Sequence, residues 1–100
     1  MNVNLTDRAQ RDLDEIIAWI GADDPKRAVS FAEELWKRCQ SLASRPERFP
    51  LVRAVGGRQI RKLSHRGYLI LYFLMNDQVE VARIVHGARD WAALLAETLQ

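Results

Sequence analysis

From Tyr68 to Met75 (YLILYFLM) every position is apolar or aromatic. The run is rich in strand formers and too short for an isolated buried helix. Arg66-Gly67 opens it and Asn76-Asp77 closes it, which predicts a central β-strand covered on both faces. Asn76-Asp77 suits a tight hairpin turn, and Gln78 to His86 (QVEVARIVH) alternates as a return strand does.

Upstream the period is helical. Ala9, Leu13, Ile16, Ile17 and Ile20 recur on one face behind a cap at Thr6 or Asp7, and Gly21 is read as the stop. Asp23-Asp24-Pro25 starts a second helix, with proline at the first helical position. Its stripe is Ala28, Phe31, Ala32, Leu35, Cys39 and Leu42, with Trp36 at the margin. Trp19 and Trp36 are read as packing residues. The short connection predicts an antiparallel helix hairpin laid on one sheet face.

Arg45-Pro46 ends that helix, and Glu47 to Gly57 reads as an irregular connection. Asn2 to Leu5 is strand-like, and Arg58 to Leu63 (RQIRKL) is a further strand. Ser64 to Gly67 is a four-residue loop in this reading. Gly87 ends the last strand, and Asp90 caps a short final helix carrying Trp91, Leu94, Leu95 and Leu99. The fold class is α+β: an antiparallel-rich sheet of about four strands, an N-terminal αα-hairpin on one face and a short C-terminal helix, in one domain spanning 1–100.

A two-residue turn at Asn76-Asp77 would oppose Tyr72 to Val81, Ile70 to Arg83 and Tyr68 to Val85. Leu69, Leu71, Phe73, Ala82 and Ile84 then form the bed for the helices. The other face shows Tyr68, Ile70, Tyr72, Leu74, Val79, Val81 and Val85. Arg61 and Arg83 flank Ile70 on that face, with Cα atoms about 10 Å apart from the strand spacing. So large an apolar patch needs a cover, either the C-terminal helix or a partner segment.

Charge sharpens this picture. The helical half nearly balances its charges. Between Leu51 and Asp90, by contrast, Arg53, Arg58, Arg61, Lys62, Arg66, Arg83 and Arg89 face only Asp77, Glu80 and Asp90. A basic sheet favours an anionic partner, nucleic acid or an acidic protein segment. Cys39 stands alone, reads as a small buried hydrophobe, and with His65 and His86 is too sparse for structural zinc. No cofactor is expected. The chain has no span or signal pattern for a membrane, so a cytoplasmic location is expected.

Three pieces in fixed order are similar to the RelE/ParE toxin superfamily, its ParE branch in particular: Leu5 to Leu13 (LTDRAQRDL), Tyr68 to Tyr72 (YLILY) and Arg83 to Asp90 (RIVHGARD). The resemblance implies the toxin of a type II toxin–antitoxin pair, a class tied to plasmid stabilisation. Its cognate antitoxin would be a ribbon-helix-helix protein with an acidic amphipathic C-terminal tail, held in a hetero-oligomer. On the residues above, that tail would meet Arg61, Tyr68, Ile70, Tyr72, Leu74, Val79, Val81 and Arg83. The branch implies poisoning of DNA gyrase by trapping its cleaved-DNA complex, without catalysis, and Arg89 and Trp91 would face the target. RelE-like relatives instead cleave mRNA on the ribosome, and that alternative would rest on Arg61, Arg83 and His86. Proton transfer near neutrality falls to the histidines, and the C-terminal segment lacks the catalytic residues such enzymes carry there.

Overall fold

The computed structural model describes residues 1–99. Five strands form one mixed sheet: β1 (Asn2–Leu5), β2 (Leu51–Val55), β3 (Arg58–His65), β4 (Tyr68–Met75) and β5 (Gln78–His86), in the spatial order β1-β5-β4-β3-β2. β1 pairs parallel with β5, and every other pairing is antiparallel. Helices α1 (Asp7–Asp23) and α2 (Pro25–Gln40) cover one face, and α3 (Trp91–Leu99) lies on the other. The α+β class holds, with β2 as an additional strand inside the stretch read as irregular.

Local chemistry sets the helix ends. Thr6 caps α1, its hydroxyl accepting from the Ala9 N–H at 3.1 Å. Asp24 alone links the helices, and its carboxylate accepts from the Arg27 N–H at 3.0 Å ahead of Pro25. Gly21 lies inside α1 rather than ending it. A Cβ there would meet that of Ala28 at 3.5 Å, an ordinary contact, so the position has room for alanine. Asp90 caps α3, accepting from the Ala93 N–H at 3.2 Å.

The two hairpin turns of the central strands are two residues long. Asn76 and Asp77 have φ of 52° and 57°, while Arg66 and Gly67 have 48° and 86°, the left-handed geometry that matches strand twist. Met75 opposes Gln78 and Tyr72 opposes Val81, as the sequence suggests. Then β5 bulges at Ala82, so that Leu71 opposes Arg83 and Ile70 opposes Ile84. Beyond the bulge, the side-chain alternation is reversed relative to an unbroken strand. Ile84 joins Val79 and Val81 in one core, and Val85 joins Ala82 in the other.

Apart from the bulge, the helices lie on the opposite sheet face from the one expected. α1 and α2 lie on Ile70, Tyr72, Val79, Val81 and Ile84, with Phe31, Leu35 and Leu42 interdigitating. α3 covers Ile60, Leu69, Leu71, Phe73, Ala82 and Val85, using Leu95 as its buried plug with Trp91, Leu94 and Leu99 around it. Neither broad face of the sheet is left bare at its centre.

Candidate functional site

The proposed antitoxin-contact set separates under this geometry. Ile70, Tyr72, Val79 and Val81 are fully buried beneath the protein's own helices. Tyr68 is half-buried, while Leu74 remains exposed at the far end of β4. Arg61 and Arg83 do not flank Ile70. The two-residue Arg66-Gly67 turn sets Arg61 opposite Tyr72, and the bulge sets Arg83 opposite Leu71. Arg61 donates to the carbonyls of Glu47 at 2.9 Å and Phe49 at 2.8 Å. Tyr72, whose hydroxyl donates to the Pro46 carbonyl, has its pKa raised chiefly by burial.

Arg83 is an internal cation. Only 2% exposed, it meets Asp12 of α1 through two bonds of 2.8 and 3.0 Å, and it donates to the Leu94 carbonyl and Thr98 hydroxyl of α3. Asp12 also accepts from the Ile84 N–H at 2.9 Å, serving β5 beyond the point where its neighbour β1 has ended. The sequence offers only a weak sign of this: a carboxylate beside the apolar stripe of α1.

Two other surfaces are open. The first is a groove of about 540 Å³ between edge strand β1 and the two helices, lined by Val3, Leu5, Leu13, Ala32 and Trp36, among others. Val29 and Trp36 of α2 stand 61% and 41% exposed, so the apolar stripe continues out of the core. Among the described residues, no strand pairs with the outer side of the β1 backbone beside it.

The second is a corner where β4 and β5 meet the loop before α3. A hollow there is lined by Glu15, Trp19, Tyr68, His86 and Arg89, among others, and Trp19 is 78% exposed rather than packed. His65, Tyr68 and His86 stand opposite one another on three neighbouring strands. The Tyr68 ring meets His86 edge-on at 5.3 Å and Phe31 at 5.4 Å. His86 is exposed, and its Nδ1 accepts from the Ala88 N–H. His65 has a shielded, unpartnered Nε2, and its pKa is lowered first by burial and then by Arg38. Of the expected target-facing pair, Arg89 is exposed and lines this hollow, whereas Trp91 is half-buried against the α3-side core.

Burial pushes the Cys39 thiol up to about 12, so it is no nucleophile. Among the described residues no group of three or more His, Cys, Asp or Glu side chains could hold a metal ion. No helix there is long and apolar enough to cross a membrane.

Comparison with known proteins agrees with this geometry. A family model described as "ParE toxin of type II toxin-antitoxin system, parDE" matches residues 3–91. A protein named Toxin RelE1, from Caulobacter vibrioides, is 33% identical over 84 residues, covering 80% of this chain and 86% of that protein. A solved structure titled "Chromosomal ParDE TA system from P. aeruginosa" superposes with a TM-score of 0.73 at 16% identity, over 86% of this chain and 95% of that one. At that identity the likeness concerns the fold.

Proposed function

The chain belongs to the ParE toxin family of type II toxin–antitoxin systems, and on that premise we propose that it acts as a non-catalytic poison of DNA gyrase in the cytoplasm. Bound to gyrase, it stabilises the cleaved-DNA complex, and a cognate antitoxin of ribbon-helix-helix type prevents this. The observation that carries the non-catalytic reading is the state of Arg83. Its bidentate bond to Asp12 keeps the guanidinium inside the fold, away from any scissile phosphate. RNA cleavage needs free cations beside a proton-transfer group. Arg83 is taken up by Asp12, while Arg61, opposite Tyr72, and His86, opposite Tyr68, stand at different points along β4.

The antitoxin's amphipathic tail then lies in the groove beside β1, with apolar side chains against Leu5, Leu13 and Trp36. Its backbone can extend the sheet along the free edge of β1. Such a binder of the folded toxin also raises its stability by mass action. The corner of Trp19, Tyr68, His86 and Arg89 is the target-facing surface, since tryptophan, tyrosine and arginine are the residue types that anchor protein interfaces. Parallel assays separate this reading from the ribonuclease alternative: gyrase-mediated DNA cleavage and mRNA cleavage on translating ribosomes, each with purified toxin. Persistent gyrase–DNA cleavage without an RNA product supports the proposal, and the reverse pattern refutes it.

A further inference from the structure

Three guanidiniums converge on Phe49. Arg48 lies 4.8 Å from its ring centroid, Arg38 lies 5.9 Å away, and Arg61 holds its carbonyl at 2.8 Å. They come from different elements: the last turn of α2, the connection before β2, and the middle of β3. Backbone carbonyls fix each one. Arg38 donates to Ser64, Arg48 to Ser44, and Arg61 to Glu47 as well as Phe49. None of the three forms an ion pair with a carboxylate among the described residues, whereas Arg8, Arg27, Arg66 and Arg83 all do. A guanidinium has five N–H donors, and each of the three keeps some unused, Arg48 the fewest because it also reaches the carbonyl and hydroxyl of Ser41. Arg38 and Arg48 share one ring, and the repulsion between such neighbouring cations would be relieved by an anion bound beside them.

We propose that Arg38, Arg48 and Arg61 form a site for the phosphodiester backbone of duplex DNA. A hollow of about 350 Å³ opens beside Arg61, lined also by Glu47, Arg58, Gln59 and Leu74, with Arg38 and Arg48 outside its wall. Arginine suits phosphate because its planar fork presents paired donors. Single-stranded RNA is the poorer match, because such sites rely on free aromatic faces for base stacking. Here the one ring at the centre already carries two guanidiniums. An acidic peptide would want apolar pockets between the charges, and those lie in the groove beside β1 instead. The site goes beyond the gyrase reading and does not depend on it, since toxin and DNA alone suffice to detect it.

The test is fluorescence anisotropy of a labelled 20-base-pair duplex with the full-length toxin across a salt series. Three phosphate contacts predict a slope of log affinity against log salt of about −2.7, hence an affinity loss of roughly 40-fold between 50 and 200 mM salt. Replacing all three arginines with glutamine should weaken binding at least tenfold and flatten the slope. The triple lysine replacement keeps the charge and should keep the slope. Circular dichroism verifies folding of each, and Arg48→Gln alone, at an exposed side chain, should reduce the slope by about one contact. Unchanged affinity in the folded glutamine variants overturns the proposal, as does tighter binding of single-stranded RNA or polyglutamate than of the duplex.

Discussion

Asp12 of α1 clamps Arg83 of β5 with both carboxylate oxygens, at 3.0 and 2.8 Å, and both residues are all but excluded from water. Through the remaining Arg83 donor, the pair also reaches the Leu94 carbonyl and Thr98 of α3. One ion pair thus joins the two helical layers across the edge of the sheet. Removing Asp12 alone leaves a buried, uncompensated cation and an unpartnered Ile84 N–H. Asp12→Ala should therefore lose about 3–5 kcal/mol of stability, measured by urea unfolding. The double replacement Asp12→Leu/Arg83→Met should recover most of that loss, because two apolar groups carry no desolvation penalty. If the double variant is as unstable as the single, the pair is not what the stability depends on.

The Asn76-Asp77 turn offers a gain rather than a loss. Asp77 holds φ of 57°, where a Cβ is unfavourable, and it is exposed. Asp77→Gly should stabilise the protein by about 0.5–1 kcal/mol, net of the greater chain entropy glycine brings to the unfolded state. Thermal melting should then shift upward by several degrees for a domain of this size. A fall in Tm would mean that the aspartate side chain contributes more than its backbone strain removes.

Acid should weaken the fold through His65. Its folded pKa lies below the ordinary histidine value, because burial and Arg38 both disfavour the charged ring. For a depressed pKa, the stabilising contribution is full above the unfolded value of about 6.5. It is lost as pH falls through the folded value. Glu34 acts in the same direction at lower pH, its pKa lowered first by the hydrogen bond from Arg27. Urea midpoints should therefore decline from pH 7 toward pH 5, and His65→Gln should flatten that decline. An identical slope in the variant would assign it to other groups.

Much of this architecture can be read directly from residue order. Asp24-Pro25, the apolar run of β4 and the Asn76-Asp77 turn each carry a strong local signal, and each forms the element it suggests. The Ala82 bulge carries none, since no glycine marks it, yet it decides where every side chain after it points. β2 is hidden because its five residues lie between Pro50 and the Gly56-Gly57 turn, where punctuation outweighs propensity. The open surfaces are hidden from the sequence for a related reason. Trp19 and Trp36 read as packing residues beside the helix stripes, and only the placement of β1 and β4 shows which side of each helix is left uncovered.

The groove beside β1 gives the next expectation. Trp36→Ala and Val29→Asp alter exposed positions on α2 and should leave the fold intact. Each should weaken antitoxin binding by tenfold or more, read by calorimetry with the purified antitoxin. Tyr72→Phe, buried on the opposite side of α2, should leave that affinity unchanged. Were Tyr72→Phe to weaken binding in a stable protein while Trp36→Ala did not, the groove would be the wrong surface.

Gyrase itself provides the most direct test. Purified toxin, DNA gyrase, ATP and supercoiled plasmid are incubated, and the linear DNA released by detergent and protease is measured with increasing toxin. Linear plasmid should accumulate with toxin, disappear when antitoxin is added beforehand, and fall sharply for Trp19→Ala/Arg89→Ala. Plasmid that stays uncut at every toxin concentration, alongside cleaved mRNA on ribosomes given the same preparation, would contradict gyrase poisoning.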